Sequence, residues 1–153
     1  MKMLQYEKEF LDKMEMIMVS ISKKLRPLIE KKMQPFGITG PQYHIMKMLK
    51  REGPARATQL ADMMNVKPSA ITVIIDRLIE RGLVERCHSD TDRRVVMMQL
   101  TKAGEELVET VSVSFSQLMG TFFSHFSNAE LMTFYQLYKK LDQVIDEVLS
   151  EEK

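Results

Sequence analysis

The sequence LVERCHSDTDRRVVMMQLTKAG runs from Leu83 to Gly104 and carries the clearest structural signal in this chain. Leu83–Arg86 is short and strand-like, and Val95–Leu100 is an apolar run that begins with two β-branched residues. The polar residues His88–Arg94 lie between these two runs and include two aspartates and two arginines. This order predicts a β-hairpin with a charged tip.

The residues before the hairpin predict two helices joined by a tight turn. Thr58 is suited to cap the first helix, and Asn65–Lys67 supply the turn. Pro68 suits the first position of the second helix, which is expected to run to Arg81 with a glycine directly after it. A helix-turn-helix that is followed by a basic hairpin is a winged helix, which usually binds DNA.

Long helices are predicted on both sides of the winged helix. Residues Met3–Met33 place apolar side chains at steps of three and four. One further helix is expected from Lys102 to about His125, and another begins behind the capping-box sequence Ser127–Glu130. The predicted fold class is therefore mostly α with a small β-wing: a winged helix-turn-helix with N- and C-terminal dimerisation helices.

We divide the chain into three sections that form one compact domain per subunit. Residues 1–37 would form an N-terminal dimerisation helix, residues 38–104 the winged helix-turn-helix region, and residues 105–153 the C-terminal dimerisation helices. The apolar seams of the long helices exceed what a small winged-helix core can cover, so pairing with a second copy is expected. A helical cap folded back onto its own chain is the alternative. The net charge is only +1, but basic residues are in excess in 38–104 and acidic residues are in excess in 105–153. This distribution mildly favours a central region that faces DNA phosphates.

Three motifs in this region carry a family resemblance. Asp92–Gly104 reads D-x-R, five variable residues and then L-T-x-x-G, while Ile75–Arg86 reads IDRLIERGLVER and Thr58–Ala61 reads TQLA. In this combination and order they resemble the MarR family of bacterial and archaeal transcription regulators. The resemblance implies a sequence-specific DNA-binding regulator that binds a pseudo-palindromic operator as a homodimer. It further implies a repressor that a small-molecule ligand releases from its operator.

The exposed face of the second predicted helix supplies candidate contacts to double-stranded DNA. Small and hydroxylated side chains near its N-terminus permit close approach to a major groove. Ser69, Thr72 and Val73 would meet base edges, and Arg77 would reach a phosphate. For Ser69 and Thr72, the alternative is a helix cap and a solvated helix face. The residues of this helix that we expect at the DNA are Ser69, Ala70, Thr72, Val73, Asp76 and Arg77.

The wing supplies the remaining candidate contacts. The resemblance implies that the arginine at the end of the D-x-R motif, here Arg94, enters the minor groove, where a guanidinium suits the negative potential of a narrow groove. Arg93 is also expected to contact DNA. Asp92 would shape the wing by pairing with one of these arginines, although a purely structural Asp–Arg bridge is the alternative. The residues expected to structure the wing are Asp92, Arg86 and Asp90.

The resemblance also implies a pocket for a small-molecule effector between the dimerisation helices and the winged helix. Its expected lining residues, which the core also explains, are Met14, Met18, Ile21, Tyr43, Met46 and Phe115. No cofactor is implied. Because some relatives hold a metal with histidines and acids, a metal-responsive regulator is an alternative for His44 and His125, and a structural role is favoured for both.

Several functional classes find no support in the sequence. It contains no Gly-rich phosphate loop, no G-x-S-x-G, no H-E-x-x-H and no paired-cysteine metal site. We therefore expect that the protein is not an enzyme. The single cysteine, Cys87, excludes an intramolecular disulfide and favours a reducing compartment. The first residues lack the apolar core of a signal peptide, and no apolar run could span a bilayer. We therefore expect a cytoplasmic protein without a membrane partner. A winged helix that binds proteins without reading DNA is the remaining alternative.

Overall fold

The computed structural model describes residues 5–151 of the chain. Helix α1 spans Gln5–Met33 and is followed by a short 3-10 helix, Gln34–Phe36. The remaining elements are α2 Gly40–Glu52, α3 Ala57–Met64, α4 Pro68–Glu80, β1 Val84–His88, β2 Val96–Leu100, α5 Lys102–Phe123 and α6 Asn128–Glu151. Across these residues, no helix combines the length and the apolar character that a membrane crossing requires. The predicted fold class, mostly α with a small β-wing, is confirmed.

The described chain forms two compact units, of which the first extends to Ser114 and the second begins at Phe115. The core of the first unit lies where α2, α3, α4, β1 and the first half of α5 meet. Its largest fully buried side chains are those of Met33, Ile45, Met46, Leu60, Ile71, Ile75, Leu78, Val84, Val108 and Val111. Burial of aliphatic side chains on this scale supplies the main driving force for folding of the winged-helix region.

The residues at the two ends of helix α4 explain where the helix begins and where it stops. Lys67 is extended at the N-cap, and Pro68 occupies the first turn, where its missing N–H costs nothing. At the other end Gly82 adopts a left-handed conformation with φ +66. The N–H of Gly82 donates to the carbonyl of Ile79 over 2.8 Å, and the N–H of Leu83 donates to the carbonyl of Leu78 over 3.0 Å. This Schellman arrangement satisfies the last carbonyls and turns the chain into β1.

Some predicted boundaries are wrong by one or two residues. Helix α3 is capped at Arg56 and not at Thr58, because the side-chain carbonyl of Gln59 accepts a hydrogen bond from the Arg56 N–H over 2.9 Å. The strands begin later than predicted, since Leu83 is still part of the turn after α4 and Val95 closes the loop by accepting from the Ser89 N–H. The predicted start of the first helix at Met3 lies outside the described residues.

The start of α5 is joined to the turn after α4. The Thr101 hydroxyl donates to the carbonyl of Gly82 over 2.7 Å and accepts from the N–H of Gly104 over 3.0 Å. A Cβ added to Gly104 would lie 2.0 Å from the carbonyl oxygen of Leu83. At this place of the L-T-x-x-G motif, the Thr101 hydroxyl therefore bridges the turn and the start of α5, and glycine is required at position 104 for close packing.

The second unit contains the end of α5 and all of α6. Aromatic rings pack at the turn between these helices, with centroids of Phe123 and Phe134 6.2 Å apart and those of Phe134 and Tyr138 5.4 Å apart. Ser127 and Glu130 form the predicted capping box. Because the Ser127 backbone N–H and hydroxyl both donate to the Glu130 carboxylate, the pKa of Glu130 is lowered from its ordinary value. No described residue of α6 is buried within this chain.

Candidate nucleic-acid interface

Helix α4 separates its apolar and polar residues onto opposite faces. Ile71, Ile75 and Leu78 are buried against the rest of the first unit. The opposite face is exposed near the helix N-terminus and holds four residues predicted to lie at DNA, namely Ser69, Ala70, Thr72 and Val73. The N-terminal end of α4 therefore presents small side chains to solvent. A bulky side chain there would keep the helix backbone away from a base edge.

The wing is a regular antiparallel hairpin. Its register pairs Val84 with Leu100 and His88 with Val96. Ala55 extends the hairpin by exchanging two backbone hydrogen bonds with Met98, of 3.0 and 2.8 Å. This added bridge attaches the middle of β2 to the segment between α2 and α3.

The tip of the wing is held by local hydrogen bonds. The Asp92 carboxylate accepts from the backbone N–H of Arg94 over 3.0 Å and from its guanidinium Nε over 3.4 Å. The Arg94 side chain is nevertheless 92% exposed. Asp92 thus fixes the backbone at the base of Arg94 while the guanidinium remains in solvent. Arg93 and Asp90 are also exposed, and Ser89 and Thr91 share a hydrogen bond of 2.9 Å beside them.

One ion pair joins α4 to the wing. The Arg86 guanidinium, on β1, donates to the Asp76 carboxylate, on α4, over 2.8 Å. Asp76 is predicted to lie at the DNA and Arg86 to structure the wing, and in the structure the two are partners of each other. Arg77 lies beside Asp76 and is exposed. The exposed face of α4 and the first strand of the wing therefore form one continuous surface.

The sequence analysis missed two basic residues near α4. Lys67 is exposed at the N-cap, next to the end of the helix that carries positive partial charge. Its position directly before Pro68 could have identified it. Arg81 follows α4, and its guanidinium donates to the backbone carbonyls of Phe36, over 3.0 Å, and Gly37. No sequence pattern indicates this contact, because carbonyl groups occur at every residue.

The predicted effector residues lie in different surroundings. Met14, Met18 and Ile21 are exposed on α1, whereas Tyr43 and Met46 are buried on α2. Phe115 is partly exposed and belongs to the second unit. The Tyr43 hydroxyl shares a hydrogen bond of 2.7 Å with that of Ser112, which ties α2 to α5.

A depression of about 460 Å³ lies on the neighbouring face of α2. Its lining residues are His44, Lys47, Met48, Lys50, Arg51, Met63, Val108 and Ser112. The rim is basic and the floor is apolar. Lys50 pairs with Glu109 across α2 and α5, and this hydrogen bond lowers the pKa of the Glu109 carboxyl from its ordinary value. None of the six residues predicted for the effector pocket is among these lining residues.

Among the described residues, no group of three or more His, Cys, Asp or Glu side chains is arranged to hold a metal ion. Cys87 is partly exposed on β1, where it pairs in register with Met97.

Comparison with known proteins agrees with this architecture. The model of the MarR family matches residues 38–96, from the residue before the cap of α2 to the first residue of β2. A crystal structure described as a MepR-like protein complexed with pseudoligands is 44% identical to this chain, and the alignment covers 88% of this chain and 94% of that one with a TM-score of 0.62. The chain belongs to the MarR family. Family members of this kind are transcriptional regulators, and this chain is a DNA-binding regulator with a winged helix-turn-helix.

Two further relatives extend the comparison. The transcriptional repressor MdtR from Bacillus subtilis is 28% identical over 138 residues, which cover 90% of this chain and 89% of MdtR. A cysteine-to-serine mutant of MarR from E. coli, solved in complex with operator DNA, has the same fold with a TM-score of 0.71. Its alignment is 24% identical and covers 83% of this chain and 91% of that one. MdtR is named as a transcriptional repressor.

Proposed function

We propose that this MarR-family chain reads a specific operator by placing α4 in the major groove and its wing against the neighbouring minor groove. The observation that carries the proposal is the Asp76–Arg86 ion pair, because it makes the exposed face of α4 and the wing one surface. A helix in the major groove with an adjacent arm in the minor groove is an established way to read DNA. E. coli MarR, which shares this fold, was solved with operator DNA.

The residues divide into those that read bases and those that bind the backbone. Ser69, Thr72 and Val73 lie at the exposed N-terminal half of α4, where the helix can approach base edges. Arg77 and Lys67 would bind phosphates, which position the protein without reading sequence. Ala70 leaves room for the backbone to approach.

Arg94 is proposed to enter the minor groove. Its side chain is almost completely exposed, while Asp92 holds its backbone in place. A guanidinium is attracted to the negative potential of a narrow groove. Arg93, next to it and also exposed, would bind an adjacent phosphate.

The active form is proposed to be a homodimer. Helices α1 and α6 each expose a series of large apolar side chains, among them Phe10, Ile17, Ile21, Leu141 and Ile145. Exposed apolar surface on this scale marks an interaction site, and a second copy of the chain offers the same helices. Two winged helices related by a two-fold axis would read a pseudo-palindrome with half-site centres roughly 10 base pairs apart.

Regulation is proposed to follow the repressor model. MdtR is named a repressor, and the MepR-like protein was solved with pseudoligands. We propose that the chain represses genes in the cytoplasm and leaves its operator when a small molecule binds preferentially to the conformer with low DNA affinity. Two places could hold such a molecule: the predicted pocket, and the depression on α2, whose basic rim suits an anion.

Selection of bound duplexes from a random library tests this proposal. The expected result is an inverted repeat bound by two chains, with the mass of the complex measured by analytical ultracentrifugation. A single half-site bound by one chain would reject the proposed dimer but would still support sequence-specific DNA binding. Recovery of no consensus would reject sequence-specific binding and favour a protein-interaction role for the winged helix.

A further inference from the structure

Two polar side chains on the exposed face of α4 are engaged within the protein. The Thr72 hydroxyl donates its proton to the carbonyl oxygen of Pro68, one turn earlier, over 3.1 Å. The Asp76 carboxylate accepts from Arg86. The Thr72 hydroxyl and the Asp76 carboxylate therefore each have a hydrogen-bond partner within the protein before DNA binds.

Apolar groups remain exposed between these polar ones. Val73 is 52% exposed, whereas Ile71 and Ile75 of the same helix are buried. At 3.6 residues per turn, Val73 lies near the middle of the exposed face and opposite Ile71. Ala70 and the methyl group of Thr72 flank it. Burial of Val73 contributes little to the stability of the fold, because about half of the side chain remains exposed to solvent.

We propose that α4 reads its operator chiefly by contact with thymine 5-methyl groups, through Val73 and the methyl group of Thr72. In the major groove the thymine methyl is the one apolar feature by which a base pair can be recognised, and aliphatic side chains contact it. The engaged Thr72 hydroxyl can no longer donate to a guanine or thymine oxygen. This inference rests on the proposed function, since it requires α4 to enter the major groove.

Replacement of thymine by deoxyuridine tests the inference, because it removes the methyl group and leaves every hydrogen-bonding group of the base unchanged. Each thymine of the selected duplex is replaced in turn, symmetrically in both half-sites, and the Kd is measured by fluorescence anisotropy. Burial of one methyl-sized group corresponds to about fourfold in affinity, so a symmetric replacement should weaken binding roughly 15-fold at one or two positions. Replacements outside the half-sites are the DNA control.

Matched protein variants separate the methyl group from the hydroxyl. Thr72→Val keeps a methyl group at this position and removes the hydroxyl, whereas Thr72→Ser keeps the hydroxyl bond to Pro68 and removes the methyl. We expect Thr72→Val to keep its response to deoxyuridine and Thr72→Ser to lose both affinity and that response. Val73→Ala should lose the response at its own position. Thr110→Ser is the protein control, since Thr110 makes the same one-turn bond, to Glu106, on α5.

The outcomes separate this inference from the function on which it rests. A selected palindrome whose affinity is unchanged by deoxyuridine at every half-site thymine would overturn methyl reading while sequence-specific binding stands. Loss of binding in Thr72→Val, with Thr72→Ser unaffected, would show that the hydroxyl reads the base. Failure to select any palindrome would remove both the proposed function and this inference. Circular dichroism of each variant tests whether the helix content of the chain is retained.

Discussion

The Arg86 guanidinium and the Asp76 carboxylate meet at 2.8 Å, and this ion pair links the exposed face of α4 to the first strand of the wing. Both side chains are about half exposed, so the pair contributes little to stability. Its effect is positional. It holds a carboxylate and a guanidinium together at the surface where phosphates are expected, so neither charge acts alone.

The substitution Asp76→Asn is predicted to reduce the discrimination between operator and scrambled DNA and to have little effect on stability. The free energy of unfolding should change by less than about 1 kcal/mol. Removal of a negative charge that faces phosphates, and release of Arg86 to bind them, should strengthen binding to a scrambled duplex several-fold. The ratio of the dissociation constant for scrambled DNA to that for the operator should therefore fall. Asp146→Asn, on α6, is the control. Equal weakening on both duplexes would contradict this role.

Substitution Arg94→Ala is predicted to weaken operator binding and to lower the salt dependence. If the guanidinium replaces one counterion, the slope of log K against log salt should become shallower by about one unit. The fold should be unchanged, because the side chain is almost fully exposed. Anisotropy titrations at several salt concentrations measure both effects, with Lys139→Ala as control. An unchanged slope would show that Arg94 does not bind a DNA charge.

The two glycines of α5 are predicted to respond to alanine in opposite ways. Gly104→Ala would place a Cβ 2.0 Å from the Leu83 carbonyl oxygen and should cost at least about 2 kcal/mol of unfolding free energy. Gly120 has open space around it, so Gly120→Ala should gain up to about 1 kcal/mol from helix propensity. Urea denaturation followed by circular dichroism measures both. Similar effects of the two substitutions would contradict the packing at Leu83.

The capping box of α6 is predicted to stabilise the protein in a pH-dependent way. The two hydrogen bonds from Ser127 favour the ionised carboxylate of Glu130, and its pKa is therefore lowered in the folded state. The stabilisation is fully present above the ordinary pKa of glutamate and is lost as the pH falls through the lowered folded value. Glu130→Ala should thus lower Tm more at pH 7 than at pH 3, as thermal unfolding can measure. Asp142→Ala is the control. A pH-independent difference would exclude the ionised cap.

The sequence predicts the winged helix well, because its signals are local. Pro68 and Gly82 mark the ends of α4 through backbone conformation alone, and the hairpin follows from two apolar runs around a charged loop. The boundary errors have the same local origin. Gln59 captures the Arg56 N–H and so places the cap of α3 two residues before the predicted cap at Thr58.

The contacts between distant residues were not predictable from the sequence. Arg81 donates hydrogen bonds to the backbone carbonyl groups of Phe36 and Gly37. Every residue has a backbone carbonyl, so the residue types do not identify these acceptors. Asp76 and Arg86 were both chosen as functional residues, yet nothing in their spacing identifies them as a pair. The predicted pocket residues were selected from apolar helix positions, which cannot distinguish Met46 in the core from Met14 on the surface.

The ratio between operator and scrambled-duplex affinity, at physiological salt, tests the central claim most directly. If α4 and the wing together read a specific operator, the selected duplex should bind at least about 1,000-fold more tightly than its scrambled counterpart. Affinity for both should fall steeply as salt rises, because phosphates are bound in each complex. A ratio near one, with the same salt dependence on both duplexes, would contradict the account.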